Sequence, residues 1–282
     1  MKAFLGMGLL GSNFVKAMIK KGEDVQVWNR TTARAKAMES FGARAFDEVS
    51  DAVIGADIIH ITLKDDASVD EVLAKAKPGL KTGAMIIDHT TTSASGAIAR
   101  TAAWKQLGFT YLHAPVFMGP INALESTGNM LVSGDQAVIK QTEAGLSEMT
   151  GTLVNLGPEE GKAAAIKLVG NSFLLSLTAG LSDTLAVGKS MGVSAAEVLG
   201  LFEAWNPGAS LPARLKRINT GDFANPSWEL NMARKDAGLM VDAADKAGVH
   251  LAVLPAIAAE MDSWIANGHG SDDWSVIAKE NI

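Results

Sequence analysis

Lys167 and Asn171, four positions apart in the second half of the chain, are the residues best suited to acid/base chemistry. Lys167 stands between Ile166 and Leu168 in a helical stretch, so it and Asn171 project from one face about one turn apart. Burial lowers the pKa of a lysine and lets it exchange a proton near neutral pH. The pair predicts an acid/base that gives a proton to a carbonyl oxygen, with Asn171 aligning it. The alternative, which the pattern alone favours, is a lysine that snorkels off an apolar helix.

A glycine-rich segment near the start of the chain predicts a phosphate-binding turn: Gly6-Met7-Gly8-Leu9-Leu10-Gly11. It follows a short apolar run and precedes a helical pattern, and a strand-like run at 25–28 comes at the βαβ distance. The first two glycines let the backbone approach a pyrophosphate, and Gly11 lets the next helix pack closely with its amides facing the phosphates. The context favours a dinucleotide site over a glycine turn without a ligand.

The end of the 25–28 run decides which dinucleotide is expected. An NAD site carries Asp or Glu there for the ribose hydroxyls, whereas this chain has Asn29, Arg30 and Thr31, with Arg34 one turn later. A guanidinium suits a phosphate dianion. The residues predict NADP(H), and the alternative is a solvated basic cluster.

Further candidates follow other apolar runs, because ligands of open α/β sheets lie outside the carboxyl ends of the strands. Leu63 and Lys64 are expected to wall the dinucleotide, while the two aspartates after them fit a helix start. The hydroxyls of Thr90 and Thr91 suit either the nicotinamide ribose or a helix cap. His89 is a proton carrier or, more commonly at such a turn, a structural residue.

A proline- and glycine-bounded turn presents two large apolar side chains, Phe117 and Met118, ahead of Gly119. They are either core residues or, at the active edge of the predicted sheet, the wall of a substrate pocket. The sequence favours the pocket wall.

Composition narrows the class of protein. The chain has 282 residues, 48% hydrophobic and 20% charged, which is ordinary for globular domains. A net charge of -6 argues against nucleic-acid binding. The absence of cysteine excludes disulfides and thiolate chemistry and fits a reducing cytoplasm. The histidines lack ligand spacing, so no metal is expected. Neither a signal peptide nor a membrane segment is predicted.

The secondary structure that must position these candidate residues is predicted to be of two kinds. Up to residue 157, short apolar runs at 3–5, 25–28, 58–63, 85–88, 111–116, 130–133 and 153–156 alternate with helical stretches, which predicts a doubly wound α/β domain of the Rossmann type. Residues 158–191 predict one long helix, buried between bodies, and residues 192–282 an all-α domain. A capping box at Ser194 and Glu197 predicts the start of its first helix.

Taken together, these motifs resemble the β-hydroxyacid dehydrogenase family, which includes 3-hydroxyisobutyrate dehydrogenases and glyoxylate/succinic semialdehyde reductases. The resemblance covers nearly the whole chain and is most specific where Gly157 and Gly161 lead to Lys167 and Asn171. It implies that Lys167 is catalytic, that Thr91 contacts cofactor and that the chain forms a dimer or tetramer. The late elements Gly221-Asp222-Phe223 and Lys235-Asp236 also match, which implies that Lys235 reaches the cofactor.

Two departures from the family pattern bear on the substrate. The family usually continues Ala-Pro-Val with Ser-Gly-Gly, but here Phe117 and Met118 replace two small residues. This implies a smaller or more apolar pocket, with Asn122 as a polar contact, and argues against a short β-hydroxy acid. Lys64 stands where the family commonly has proline, which alters the cofactor wall.

The main hypothesis is an NADPH-dependent reductase or dehydrogenase for a carbonyl/alcohol pair, with Lys167 as general acid/base. Imine reduction is the nearest alternative, although related folds use Asp or Tyr in place of the lysine. A non-catalytic NADP-binding module is the third hypothesis, and the lysine–asparagine pair argues against it.

Overall fold

The computed structural model describes every residue from Met1 to Ile282. The chain forms two compact units, Met1–Asn171 and Ser172–Ile282. The boundary between them falls inside one long helix, so each unit is described by itself.

A six-stranded parallel sheet forms the centre of the amino-terminal unit. Its strands, in chain order, are Lys2–Leu5 (β1), Val25–Trp28 (β2), Arg44–Ala45 (β3), Ile58–Ile61 (β4), Met85–Asp88 (β5) and Thr110–His113 (β6). The spatial order β3-β2-β1-β4-β5-β6 reverses at β1, which is the doubly wound arrangement predicted from the apolar runs. The fold-class prediction is confirmed, and the carboxyl ends of β1 and β4 lie side by side at the switch point.

A second, three-stranded sheet was not foreseen in the sequence pattern. Val116–Phe117 (β7) pairs antiparallel with Asn129–Val132 (β8), which pairs in parallel with Thr152–Asn155 (β9). The expected continuous strand at 111–116 is wrong, because β6 ends at His113 and the chain turns through Ala114 and Pro115 before β7 begins. A proline has no N–H for a strand ladder, which favours a break there. β3 was missed because two residues carry no periodicity.

Helices connect the strands and cover both faces of the large sheet. They are Leu9–Lys20 (α1), Thr32–Lys36 (α2), Val49–Ala52 (α3), Asp66–Ala76 (α4), Ala94–Gln106 (α5), Pro120–Glu125 (α6) and Gln136–Ser147 (α7). Short 3-10 turns occupy Ala37–Phe41 and Lys77–Gly79. Two clusters of buried apolar side chains form the core, one containing Phe4 and Phe14 and the other Leu5 and Ile59. Consecutive residues Phe4 and Leu5 of β1 thus belong to different clusters, as strand alternation requires.

The long helix runs from Lys162 to Ser190 (α8), close to the predicted 158–191, and its 29 residues extend about 44 Å. The prediction that it is buried is wrong for the single chain, because only 6% of its most apolar window is buried. By length and composition alone it is also the one helix that could cross a membrane. The sequence predicts no membrane segment because the apolar stretch from Leu168 to Leu181 is shorter than the about 20 residues of a membrane span, whereas the helix that contains this stretch is longer.

The carboxy-terminal unit is helical, as predicted. Its helices beyond α8 are Ala195–Ala204 (α9), Leu211–Thr220 (α10), Leu230–Lys246 (α11) and Leu254–Trp264 (α12), with 3-10 segments at Pro207–Ser210 and Trp274–Asn281 and a π-helical segment at Ile265–His269. The capping box is confirmed, since Ser194 Oγ accepts from the Glu197 amide and Glu197 Oε2 accepts from the Ser194 amide. The Asp183 carboxylate in α8 accepts hydrogen bonds from three consecutive backbone amides at the start of α12.

Candidate functional site

The glycine-rich segment forms a tight turn between β1 and α1. Gly6 has φ +104°, and a Cβ there would collide with the carbonyl oxygen of Thr62. A Cβ on Gly11 would collide with the carbonyl oxygen of Gly6, so α1 packs directly on the turn. A Cβ on Gly8 would meet nothing within 4 Å. The turn is therefore closed toward the protein and open at Gly8, where α1 begins and its amides can receive a phosphate.

A cavity of about 400 Å³ adjoins this turn. Besides the glycines, its lining includes the predicted residues Leu9, Leu10, Asn29, Arg30, Thr31, Leu63 and Lys64. Asn29 Oδ1 accepts from the Met7 amide at 2.9 Å, which ties the end of β2 to the glycine turn. The structure thus brings together most of the predicted cofactor residues. It adds Ser68, Glu71 and Lys75 to the lining, and these were not predicted because they lie inside α4 and not at a strand end.

The charges around this cavity are suited to an anion. Arg30 and Arg34 both line it, and their side chains form no hydrogen bond or ion pair with the protein. Glu71 is neutralised by Lys75 at 2.6 Å, and the pKa of Glu71 is lowered, first by that hydrogen bond. Two guanidinium groups therefore remain available to a ligand. The residues fit a dinucleotide that carries an extra phosphate.

Threonines after β5 form the neighbouring wall. Thr90 is buried and accepts a hydrogen bond from the Leu63 amide at 3.0 Å, so it positions the loop after β4. Thr91 is exposed and its hydroxyl has no hydrogen bond within the protein. Of the two, Thr91 is the one free to contact a cofactor, and that role stays a prediction.

His89 is buried in the sheet core. Its Nδ1 lies 2.8 Å from the Ala114 carbonyl oxygen, which must accept, so the other ring nitrogen is left to accept from His60 Nδ1 at 3.0 Å. Both rings are 2% exposed, and burial lowers the pKa of His89 to about 4 and that of His60 well below its usual value. The pair is neutral and structural. No sequence pattern predicts this contact, because His60 lies in β4 and His89 directly follows β5, 29 positions along the chain.

Lys167 lies near the start of α8 and is 9% exposed. Its Nζ donates a hydrogen bond to Asn171 Oδ1 at 2.9 Å and lies 4.2 Å from the centre of the Phe117 ring. Burial lowers its pKa. The geometry is that of a partly desolvated ammonium held by an amide and an aromatic face, which suits a proton donor.

The turn predicted as a substrate wall divides into different environments. Phe117 contacts Lys167, whereas Met118 packs against the apolar core. Asn122 Oδ1 accepts from the Gly119 amide at 2.8 Å, and its Nδ2 donates to Thr127 at 2.9 Å. Gly119 and Asn122 are thus bonded to one another, and their contact with a substrate stays a prediction.

Lys235, predicted to reach the cofactor, belongs to the carboxy-terminal unit. It is exposed on α11 and pairs with Asp236 at 2.9 Å. The neighbouring Gly221-Asp222-Phe223 motif ends α10, with Phe223 in the core of that unit. The role of Lys235 stays a prediction.

Known proteins share both halves of this arrangement. The profile of the "NAD binding domain of 6-phosphogluconate dehydrogenase" matches residues 2–157, and that of "NADPH-dependent reductive aminase-like, C-terminal domain" matches residues 159–281.

Individual relatives are distant but match along most of their length. An uncharacterized oxidoreductase of Shewanella frigidimarina is 29% identical over 89% of this chain and 87% of its own. The 2-(hydroxymethyl)glutarate dehydrogenase of Eubacterium barkeri is 25% identical over 98% and 93%. The solved imine reductase of Myxococcus stipitatus is 22% identical and has a TM-score of 0.92 over 99% of both chains, so it shares the fold. The glycine turn, the lysine–asparagine pair and these matches identify the chain as a pyridine-nucleotide oxidoreductase that belongs to the β-hydroxyacid dehydrogenase family.

Proposed function

We propose that this protein is an NADPH-dependent reductase of aldehydes or ketones that works with Lys167 as its proton donor. The observation that carries the proposal is the Lys167 Nζ to Asn171 Oδ1 hydrogen bond on a buried lysine. NADPH is preferred because Arg30 and Arg34 line the cavity beside the glycine turn without protein partners. The cofactor, when bound, supplies a hydride to the carbonyl carbon.

The remaining steps belong to the chain's own residues. The glycine turn and the start of α1 would hold the phosphates, and Leu63 and the exposed Thr91 would contact the nicotinamide end of the cofactor. The Lys167 ammonium gives a proton from Nζ to the carbonyl oxygen, and the neutral amine regains one from water. Asn171 accepts from Nζ throughout and so fixes its direction. Reduction therefore needs a charged lysine, and oxidation of the alcohol needs a neutral one.

The pocket wall favours neutral, apolar carbonyl compounds over short hydroxy acids. Phe117 is bulky and apolar, and the Gly119 amide already donates to Asn122, so that amide is not free for a substrate carboxylate. Substitution at this turn is expected to change the substrate range more than the cofactor preference.

Substitution of Lys167 tests the proposal. Lys167→Ala is expected to lower kcat/KM for aldehyde reduction about 10²- to 10⁴-fold while NADPH still binds in a fluorescence titration. Lys162→Ala is the matched control, since Lys162 lies on the same helix and pairs only with Glu159 at the surface. Unchanged turnover of every accepted carbonyl by the Lys167→Ala variant would overturn the assignment, and tighter binding of NADH than NADPH would overturn the role of Arg30.

Imine reduction is the second candidate, favoured by the match of residues 159–281 to a reductive aminase-like domain. An imine nitrogen is basic enough to arrive protonated, so its reduction does not need Lys167. An imine reductase would keep its imine turnover in the Lys167→Ala variant, and a carbonyl reductase would lose its aldehyde turnover.

We further propose that this protein forms a homo-oligomer and acts in the cytoplasm. Along α8 the apolar side chains Phe173, Leu174, Leu175, Leu177, Leu181 and Leu185 are exposed in the single chain. Apolar patches of this extent mark interaction sites, and closed symmetric assemblies of one chain are the commonest solution. A second copy of this chain is the proposed partner, and no nucleic acid is expected. A protein that sediments only as a monomer in analytical ultracentrifugation would exclude the homo-oligomer.

A further inference from the structure

Phe117 is placed under the proposed proton donor by two separate constraints. It ends β7, where it pairs with Asn129 of β8, so its backbone is fixed by the small sheet. Its ring then lies against the backbone of Gly170 on α8, so closely that a Cβ on Gly170 would overlap the ring edge. The ring has no room to move toward the helix while α8 and β7 keep their places.

Lys167, Gly170 and Asn171 are spaced at three and four residues and therefore share one face of α8. Lys167 Nζ lies 4.2 Å from the centre of the Phe117 ring and donates to Asn171 at 2.9 Å. We call Phe117, Gly170 and Asn171 the lysine clamp. The glycine provides the space, the ring provides the face and the amide provides the acceptor.

The clamp is the local source of stabilisation for a positive charge. Lys167 forms no ion pair within 4.0 Å, and no charged side chain of any neighbouring element contributes to its pKa shift. Burial alone lowers the pKa of Lys167, which works against the ammonium. An aromatic face and an amide oxygen both favour the ammonium, the ring by its quadrupole. They oppose the effect of burial without adding a charge.

We propose that Phe117 is a positioning residue whose ring face, seated on Gly170, holds the Lys167 ammonium beside Asn171 and keeps it charged. This rests on the proposed function, because it concerns the proton donor assigned there. The Phe117 side chain then has two roles: its ring edge packs on the helix, and its ring face stabilises the Lys167 ammonium.

Three variants separate the electrostatic role from simple packing. Phe117→Leu keeps an apolar side chain and removes the face. Met118→Leu changes the neighbouring residue, which packs against the apolar core, and leaves the ring face in place, so it serves as the control. Gly170→Ala leaves Phe117 in the chain but pushes its ring away, and alanine is a better helix former than glycine, so α8 itself is not weakened.

The first measurement does not depend on turnover. The rate of Lys167 acylation by acetic anhydride, followed by mass spectrometry across pH in the protein without added cofactor, reports the titration of this amine. In Phe117→Leu and in Gly170→Ala the midpoint is expected to fall by about 0.5 to 1 pH unit, and in Met118→Leu to stay where it is. The double variant Phe117→Leu/Gly170→Ala is expected to shift no further than either single variant.

The second measurement is the pH profile of kcat for aldehyde reduction. Its alkaline limb is expected to move to lower pH by the same amount in Phe117→Leu and in Gly170→Ala, because reduction needs the charged lysine. Unchanged or raised labelling midpoints would overturn the proposal and leave Phe117 as a packing residue. A lowered midpoint without any carbonyl turnover would instead uphold the clamp and reject the proposed function.

Discussion

A buried polar cluster of the amino-terminal unit and one of the carboxy-terminal unit differ in charge state. The amino-terminal unit buries His60 and His89 as a neutral hydrogen-bonded pair whose pKa values are lowered by burial. The carboxy-terminal unit buries Asp273, 1% exposed, as a carboxylate. Burial raises the pKa of Asp273, but hydrogen bonds from Ser275 and Ser227 outweigh it and bring the pKa to about 2. Because of this difference, acid is expected to lower the stability of the two units in separate pH windows.

Loss of the buried carboxylate is expected to have the largest effect. Asp273 accepts from Arg217 at 2.7 Å, from Ser227 at 2.8 Å and from Ser275 at 2.6 Å. Asp273→Ala leaves these donors unpaired and is expected to cost about 3 kcal/mol in the free energy of unfolding measured with urea at pH 7. Asp245→Ala, an exposed position on α11, is the control. Equal stability of the two variants would mean that the buried carboxylate does not hold this unit together.

The histidine pair is expected to have the next largest effect. The pKa of His89 is about 4 in the fold against 6.5 for a free histidine, so the unfolded chain takes up the proton first. Stability is complete above about pH 6.5, falls as the pH drops toward 4, and has lost about 2 kcal/mol through His89 by pH 5. The corresponding window for Asp273 lies lower, from 3.8 down to about 2.

Substitution of one histidine tests whether the His60–His89 pair causes the loss of stability in acid. His60→Leu is expected to remove about half of the stability difference between pH 7.5 and pH 5, measured by urea unfolding at both values. Gln106→Leu, a substitution at an exposed position that does not titrate, is the control and is expected to leave that difference unchanged. If His60→Leu also left it unchanged, the acid sensitivity would arise elsewhere.

The units also differ in how completely they cover their apolar side chains, and this gives the smallest expected effect. Leu175 on α8 is 73% exposed, so Leu175→Arg is expected to leave the unfolding of a single chain nearly unaltered. It is expected to weaken self-association at least about tenfold in sedimentation velocity. Ile54→Arg, at a 57% exposed position in the amino-terminal unit, is the matched control. Equal association of both variants would remove α8 from the interface.

Several features could be predicted because they depend on neighbouring residues. The glycine turn, the parallel strands of the large sheet, the extent of α8 and the Ser194 capping box each arise from spacing within a few positions. The Lys167–Asn171 pair belongs to the same group, since one helical turn brings them together. The two-residue strand β3 and the separate small sheet were missed, because neither has a run long enough to show periodicity.

Local sequence patterns were enough to predict the class of fold, the dinucleotide turn and the lysine–asparagine pair. The contacts of Phe117 with Lys167 and Gly170, the contact of His60 with His89, and the exposure of the apolar face of α8 became visible only in the folded chain. This division follows from the range of the interactions. Backbone preferences and side-chain periodicity act between close neighbours, whereas contacts between distant segments depend on how complete strands and helices pack.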